Sequence, residues 1–213
     1  MRAEAQGADG GRETEDGADG SRPIFRLPSS VALHASPTTD SPVSARPLMV
    51  ERDAQALQAL YDRCVDFALL SDGEPAAPTA GRNEFTAVPE GWTLADKFVF
   101  GVFAAERLIA VIEGIRHYPE PGSYWLGLLL LDPDHRRQGL GSASYRAFES
   151  WARAEGAGEI QLTVIEDNAP ALAFWSRMGF ARVHTSEPKR HGKRVYAKHF
   201  MSKALQPVRP RGP

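Results

Sequence analysis

The chain has a single cysteine, Cys64, so it cannot close an internal disulfide, and nothing in it points to an oxidising compartment. A small apolar residue on a helix is a plainer reading of Cys64 than a catalytic thiol. No apolar run approaches the ~20 residues that cross a bilayer, and the N-terminus lacks the apolar core of a secretion signal. A cytoplasmic protein with no membrane association is the expectation. Strong charge of either sign is also missing. A formal net charge of -2 gives no overall electrostatic case for nucleic acid as a partner. The six histidines show no paired ligand spacing, which with one cysteine implies no metal. What is present is ordinary globular material, 42% hydrophobic and 24% charged, in 213 residues. That length suffices for one well-filled domain with tails.

Residues 1–45 differ in kind from the rest. Gly, Ala and acidic residues give way to serines and threonines spaced by Pro23, Pro28, Pro37 and Pro42. So few apolar residues cannot offset the ordering entropy, and the segment reads as a disordered leader or a start assigned too far upstream. Residues 206–213, rich in Pro and Arg, read as a loose tail. Between them, residues 46–205 carry regular patterns. Leu48–Val50 is a strand candidate, and Asp53 a candidate helix N-cap. Ala56, Leu57, Leu60, Cys64, Phe67 and Ala68 recur on one helical face. The Gly/Pro-rich stretch from Ser71 to Gly91 reads as a loop or broken helix. Phe98–Phe103 and Leu108–Ile115 form a hairpin. After a turn at Pro119–Gly122, Tyr124–Leu131 is too continuously apolar to be half exposed and reads as a central strand. A helix after Gly141, a strand Ile160–Val164, a short helix Ala169–Met178 and strands Phe180–His184 and Val195–Met201 complete an α/β domain around a mixed sheet.

The chemistry lies first in the segment Leu128 to Ser142, LLLLDPDHRRQGLGS. An apolar strand runs into a proline turn, a basic loop with two glycines, and a helix. Gly139 and Gly141 let a phosphate approach backbone amides that a helix N-terminus leaves unpaired. Arg136 and Arg137 add positive charge. The plainer alternative is a tight strand-to-helix turn with solvated arginines. Other phosphate loops fit poorly: there is no P-loop lysine, and the third small residue of a dinucleotide fingerprint is Ser144. Such a fold would also want an acidic residue at a strand end, where Glu159 stands at a strand start.

A second segment, Asn168 to Phe180, reads NAPALAFWSRMGF. The pair, R-x-x-G-x-G after one strand and N-x-x-A-x-x-F-[WY]-x-x-x-G-F after the next, resembles the GNAT superfamily of N-acetyltransferases. The resemblance covers about residues 46–205. It implies a mixed, mostly antiparallel sheet flanked by helices, whose strand Tyr124–Leu131 bulges and splays from Ile160–Val164. It implies acetyl-CoA as acyl donor, an unknown primary amine as acceptor, and direct transfer; homodimers are common among similar proteins. It implies that main-chain groups at Leu129, Leu130 and Leu131 pair with the pantetheine arm. Arg136, Arg137, Gln138, Gly139, Leu140, Gly141 and Ser142 would hold the pyrophosphate. Asn168 would contact the pantetheine, with Ala171 and Phe174 lining its exit.

One position departs from the pattern. Many relatives carry tyrosine where this chain has Trp175, and an indole cannot protonate a departing thiolate. The general base is sought elsewhere as well, because the central strand carries no carboxylate. Glu113, in the adjacent apolar strand, is costly to bury without a use or a partner. The alternative is that it faces solvent or pairs with Arg116. His117, Tyr118 and Glu120 follow at the turn as candidates for the acceptor mouth. The basic run Lys189 to Arg194 reads as a solvated hairpin tip rather than a clamp for an acidic substrate. A non-catalytic acyl-CoA-binding module is the alternative to an enzyme.

Overall fold

The computed structural model describes residues 43–206. The elements run β1 (Val43–Pro47), α1 (Val50–Arg63), α2 (Val65–Ser71), α3 (Ala80–Asn83), β2 (Lys97–Ala104), β3 (Arg107–Arg116) and β4 (Ser123–Leu131). They continue with α4 (Leu140–Ala154), β5 (Glu159–Ile165), α5 (Ala169–Arg177), β6 (Ala181–Thr185), β7 (Lys189–His191), β8 (Arg194–Tyr196) and β9 (Lys198–Ala204). Seven strands form one sheet in the order β1-β2-β3-β4-β5-β9-β6, with β4 at its centre. Every pairing in it is antiparallel except β4 with β5. The mixed, mostly antiparallel sheet with helices on its faces is the architecture expected.

The sheet separates two cores. On one face α4 lays Tyr145, Phe148, Trp151 and Ala152 against Phe98, Tyr124, Ile160 and Leu162. The 3.6-residue spacing of those side chains is why this stretch is helical and faces the sheet. On the other face Leu57, Leu60 and Cys64 pack on Val99, Val111 and Leu130. A third cluster, with Val102, Ile109 and Leu140, closes one end. Both helices that follow the central strands end on a left-handed glycine. At α4, Gly156 has φ 90° and Ala157 N–H bonds Ala152 C=O at 2.8 Å. At α5, Gly179 has φ 92° and Phe180 N–H bonds Trp175 C=O at 3.1 Å. These are Schellman ends, and they place Ala157 and Phe180 in the core.

Several boundaries differ from the sequence reading. The strand near the start is Val43–Pro47 rather than Leu48–Val50, so Val43–Ala45 of the expected leader are paired with β2. The rest of the leader and residues 207–213 of the tail lie outside the described residues. Asp53 is not the N-cap of α1. Met49 holds that position, and Asp53, one turn in, accepts its N–H at 2.8 Å while bound by Arg46. The helical face expected to run through Ala68 breaks at Cys64, whose backbone (φ -96°, ψ 43°) leaves the helical region. That break turns α2 so that Asp66, Phe67 and Leu70 line a cavity. The basic run forms the hairpin β7–β8, whose residues reach α2 and its flank instead of solvent alone. Arg194 donates to Leu70 C=O at 2.7 Å and to Asp167 at 3.0 Å, and Lys193 pairs with Glu74 at 2.8 Å.

Candidate active site

Strands β4 and β5 pair only at Ser123–Glu159, Tyr124–Ile160 and Trp125–Gln161. Beyond that point β4 continues six residues to Leu131 and β5 four residues to Ile165 with no pairing between them. The other side of β4 stays in register with β3 through Ala110–Leu131, apart from one irregularity: Glu113 opposes Leu128 while Gly114 opposes Leu126. Gly127 is the extra residue, a bulge that bends β4 away from β5. The sheet therefore opens into a V with its apex at Trp125 and Gln161.

A cavity of about 1060 Å³ lies at the open end of the V. Leu129, Leu130 and Leu131 form one wall, with Asp66, Phe67 and Leu70 of α2 beside them. Asn168, Ala171, Phe174 and Trp175 form another, and Arg136, Arg137, Gly139, Gly141 and Ser142 lie at the end where α4 begins. Of the expected cofactor residues, Gln138 and Leu140 are not in the lining. Gln138 turns its side-chain amide to Asp134 C=O at 2.8 Å, and Leu140 is buried in the third cluster.

The loop before α4 is shaped by its backbone and one buried carboxylate. Asp132, fully buried, anchors it: its carboxylate takes Asp134 N–H at 3.1 Å, Arg63 at 2.6 Å and Arg107 at 2.8 Å. Burial opposes ionisation there, yet the Asp134 amide and the two guanidiniums hold the carboxyl below its usual range. Gly139 is the left-handed N-cap of α4 (φ 84°), and a Cβ there would meet nothing within 4 Å. The first bond inside the helix is Ala143 N–H to Gly139 C=O, so the amides of Leu140, Gly141 and Ser142 have no helical acceptor. At Gly141 a Cβ would sit 3.5 Å from Leu131 and 3.6 Å from Phe174, in ordinary contact. Amides, helix dipole and open space fit a phosphate or pyrophosphate group.

Arg136 is placed differently from the simple expectation. Its Nε donates to Leu131 C=O at 3.0 Å, and its two terminal nitrogens bond Asp66. Asn168 is the N-cap of α5, its side-chain oxygen accepting Ala171 N–H at 3.1 Å, which explains the N-x-x-A spacing structurally. Trp175 is nearly buried, its ring 4.8 to 5.3 Å from those of Phe174, Tyr145 and Phe180.

Glu113 does not line the cavity and does not pair with Arg116. It is buried on the α1 face of the sheet, hydrogen-bonded to Lys97. Lys97 also donates to Ala87 C=O at 2.9 Å and lies 3.9 Å from Glu84, which accepts from Tyr61. Burial pushes the Glu113 carboxyl up to about 7, helped by the charge of Glu84 and opposed by Lys97. Gly127 stands directly over it: a Cβ at that position would lie 2.5 Å from Glu113 Oε2, and Gly127 itself is exposed. The sequence reading did not single out Asp66, Lys97, Glu84 or Gly127. A glycine inside the run WLGLLLL was the available signal for a bulge or a close approach.

The domain is a mixed, mostly antiparallel α/β sheet, flanked by helices and split at its centre beside the start of α4. Residues 65–180 match the acetyltransferase (GNAT) family, and the chain belongs to that family. A mycothiol acetyltransferase of Actinosynnema mirum is 33% identical over 93 residues, 44% of this chain and 31% of that protein. The chain thus spans about a third of the length of that curated relative. Among solved structures, a probable GNAT-family acetyltransferase of Chromobacterium violaceum superposes with a TM-score of 0.63 at 18% identity, covering 92% of this chain and 97% of the other. A PaiA N-acetyltransferase of Thermoplasma acidophilum, solved in complex with coenzyme A, gives 0.56 at 18% identity, covering 76% and 99%. These likenesses agree on the fold. Among the described residues no helix is long and apolar enough to cross a membrane.

Proposed function

We propose that this domain is an N-acetyltransferase that moves an acetyl group from acetyl-CoA to a primary amine by direct attack. The observation that carries the reading is the V between β4 and β5, which leads from its apex at Trp125 to the start of α4. An elongated ligand with an anionic end fits that shape. The amides of Leu140, Gly141 and Ser142, with Arg136 and Arg137 beside them, would hold the pyrophosphate. The backbone of Leu129 to Leu131 would pair with the pantetheine arm as an added strand, with Asn168, Ala171, Phe174 and Trp175 along the other wall. The thioester supplies an activated acyl carbon.

The chain's own task is then to position the amine and take its proton. An alkyl ammonium has a pKa of about 10.4 and must lose a proton before it attacks. Glu113 is suited to accept it, directly or through water. Burial holds its carboxyl above the ordinary glutamate range, and at Gly127 there is no side chain to cover Oε2 from that face. The Trp175 indole is no acid, so water or a group elsewhere reprotonates the thiolate. Residues 46–205, extended back to Val43 by β1, form the catalytic domain.

Calorimetric titration with acetyl-CoA, followed by detection of free thiol in the presence of amines, tests this reading. Binding with thiol release that depends on amine is expected. Binding with no release for any amine would replace the enzyme by a non-catalytic acyl-CoA-binding module.

A further inference from the structure

Across the face of the sheet that carries Glu113 runs a chain of aromatic rings outside all three buried clusters. Trp92 meets Tyr118 edge-on at 4.8 Å, and Tyr118 meets Trp125 at 5.6 Å. Trp125 lies 6.1 Å from Phe200, which stacks on His184 at 4.2 Å. The indole N–H of Trp92 bonds His117 C=O at 3.1 Å and fixes the start of the strip. None of the five is buried, and His184 is exposed. Rings that build a core are covered, whereas these are half open and in series.

The register shows where the strip leads. Trp125 pairs with Ile115 on one side and Gln161 on the other, the last pair before the V opens. Ile115 and Glu113 are two apart on β3, so the Trp125 ring and the Glu113 carboxylate share a face as diagonal neighbours. At the far end Phe200 and His184 line a recess of about 210 Å³ with Glu159 and Gln161. Glu113 thus lies beside the middle of the aromatic row and Glu159 at its far end, and the half-open ring faces between them suit a cation.

We propose that the strip Trp92, Tyr118, Trp125, Phe200 and His184 is the acceptor subsite, and that it selects a cationic amine carried on an aromatic or other flat apolar body. The body lies on the rings near Trp125, and the nitrogen points past Gly127 toward Glu113 and the thioester end of the V. The proposal rests on the acetyltransferase reading and names the substrate class for it.

Phenethylamine and ethylamine, alike at the nitrogen and different in the body, are the probes. Rates of acetylation of each are measured with the wild-type chain, Trp125→Ala and Phe200→Leu, alongside calorimetric acetyl-CoA affinity for all three proteins. The expected result is a kcat/KM for phenethylamine at least about tenfold above that for ethylamine. That preference should shrink toward unity in both variants while acetyl-CoA affinity stays the same. Phe200→Leu, a milder change, carries the test if Trp125→Ala does not fold. Equal rates for the two amines in the wild-type chain, or an undiminished preference in the variants, would overturn the subsite. So would acetyl-CoA binding with neither amine acetylated. Failure of the wild-type chain to bind acetyl-CoA would instead overturn the functional reading beneath it.

Discussion

The guanidinium of Arg136 spans from the Leu131 carbonyl, at 3.0 Å, to the carboxylate of Asp66 on α2, which it grips with both terminal nitrogens. The arginine that opens the cradle is thus also the tie between the end of β4 and the helix across the cavity. Asp66 is more than half exposed, and a pair so open contributes about 0–1 kcal/mol to stability. In an anion site the same carboxylate competes with the ligand for the guanidinium.

Asp66→Asn should therefore tighten acetyl-CoA binding a few-fold or leave it unchanged, while Arg136→Ala weakens it by about 1–3 kcal/mol. Titration calorimetry reads both. Equal weakening in the two variants would mean that Arg136 acts only by holding α2.

Gly141→Ala separates the fold from the cradle. The added methyl finds ordinary contact distances to Leu131 and Phe174, so the melting temperature should hold or rise slightly, since alanine favours the helix. Crowding of this kind typically costs about 1–3 kcal/mol, so acetyl-CoA affinity should fall about tenfold. Unaltered affinity with an unaltered melting temperature would remove the pyrophosphate from the start of α4.

Trp175→Phe keeps an aromatic ring among Phe174, Tyr145 and Phe180 and should retain most turnover. Trp175→Tyr should match or exceed the wild-type rate, because a phenol can donate the proton that an indole cannot. Steady-state kinetics decide it. A loss of about a hundredfold in the Phe variant, with the fold intact, would give the indole a direct role.

The Glu113 carboxyl also marks stability. Raised from 4.5 to about 7, it keeps its proton in the native chain over a range where the unfolded chain has released it. The stabilisation is complete below the unfolded value and is lost as pH rises through about 7. Asp53, Asp66 and Asp132 are all held low, so their contributions are lost only as pH falls below the ordinary aspartate range, outside this window. His191, whose imidazole is held low by burial, works in the opposite direction in this window, so the melting temperature of the wild-type chain relative to that of Glu113→Gln should fall between about pH 5 and about pH 8. Parallel curves for the two proteins would show that Glu113 stays ionised throughout.

What could be read beforehand follows the strength of the local patterns. The apolar runs of β2, β3 and β4 and the helical stripe of α4 are long, and each was legible. So were the glycines of the loop before α4, because turn chemistry is local, whereas Asn168 was expected only as a pantetheine contact and its role as the cap of α5 came with the fold. Strand β1, with the sequence VSARP, has no alternation to announce it and exists because β2 offers a free edge. The break at Cys64 has no glycine or proline to mark it; its thiol instead reaches Leu131 C=O at 3.4 Å, a contact that only the tertiary fold supplies. The setting of Glu113 was likewise invisible, since Lys97, Glu84 and Tyr61 come from three separate segments.

The central claim is tested most directly by locating the transferred group. Isotopically labelled acetyl-CoA is incubated with the protein and a panel of primary amines, and products are examined by mass spectrometry. One labelled acetyl group on the amine nitrogen per free CoA released is expected, sharply reduced in Glu113→Gln, since general-base contributions are typically ~10²–10⁴-fold. Acetyl-CoA bound at the V but returned intact in the presence of every amine would contradict it.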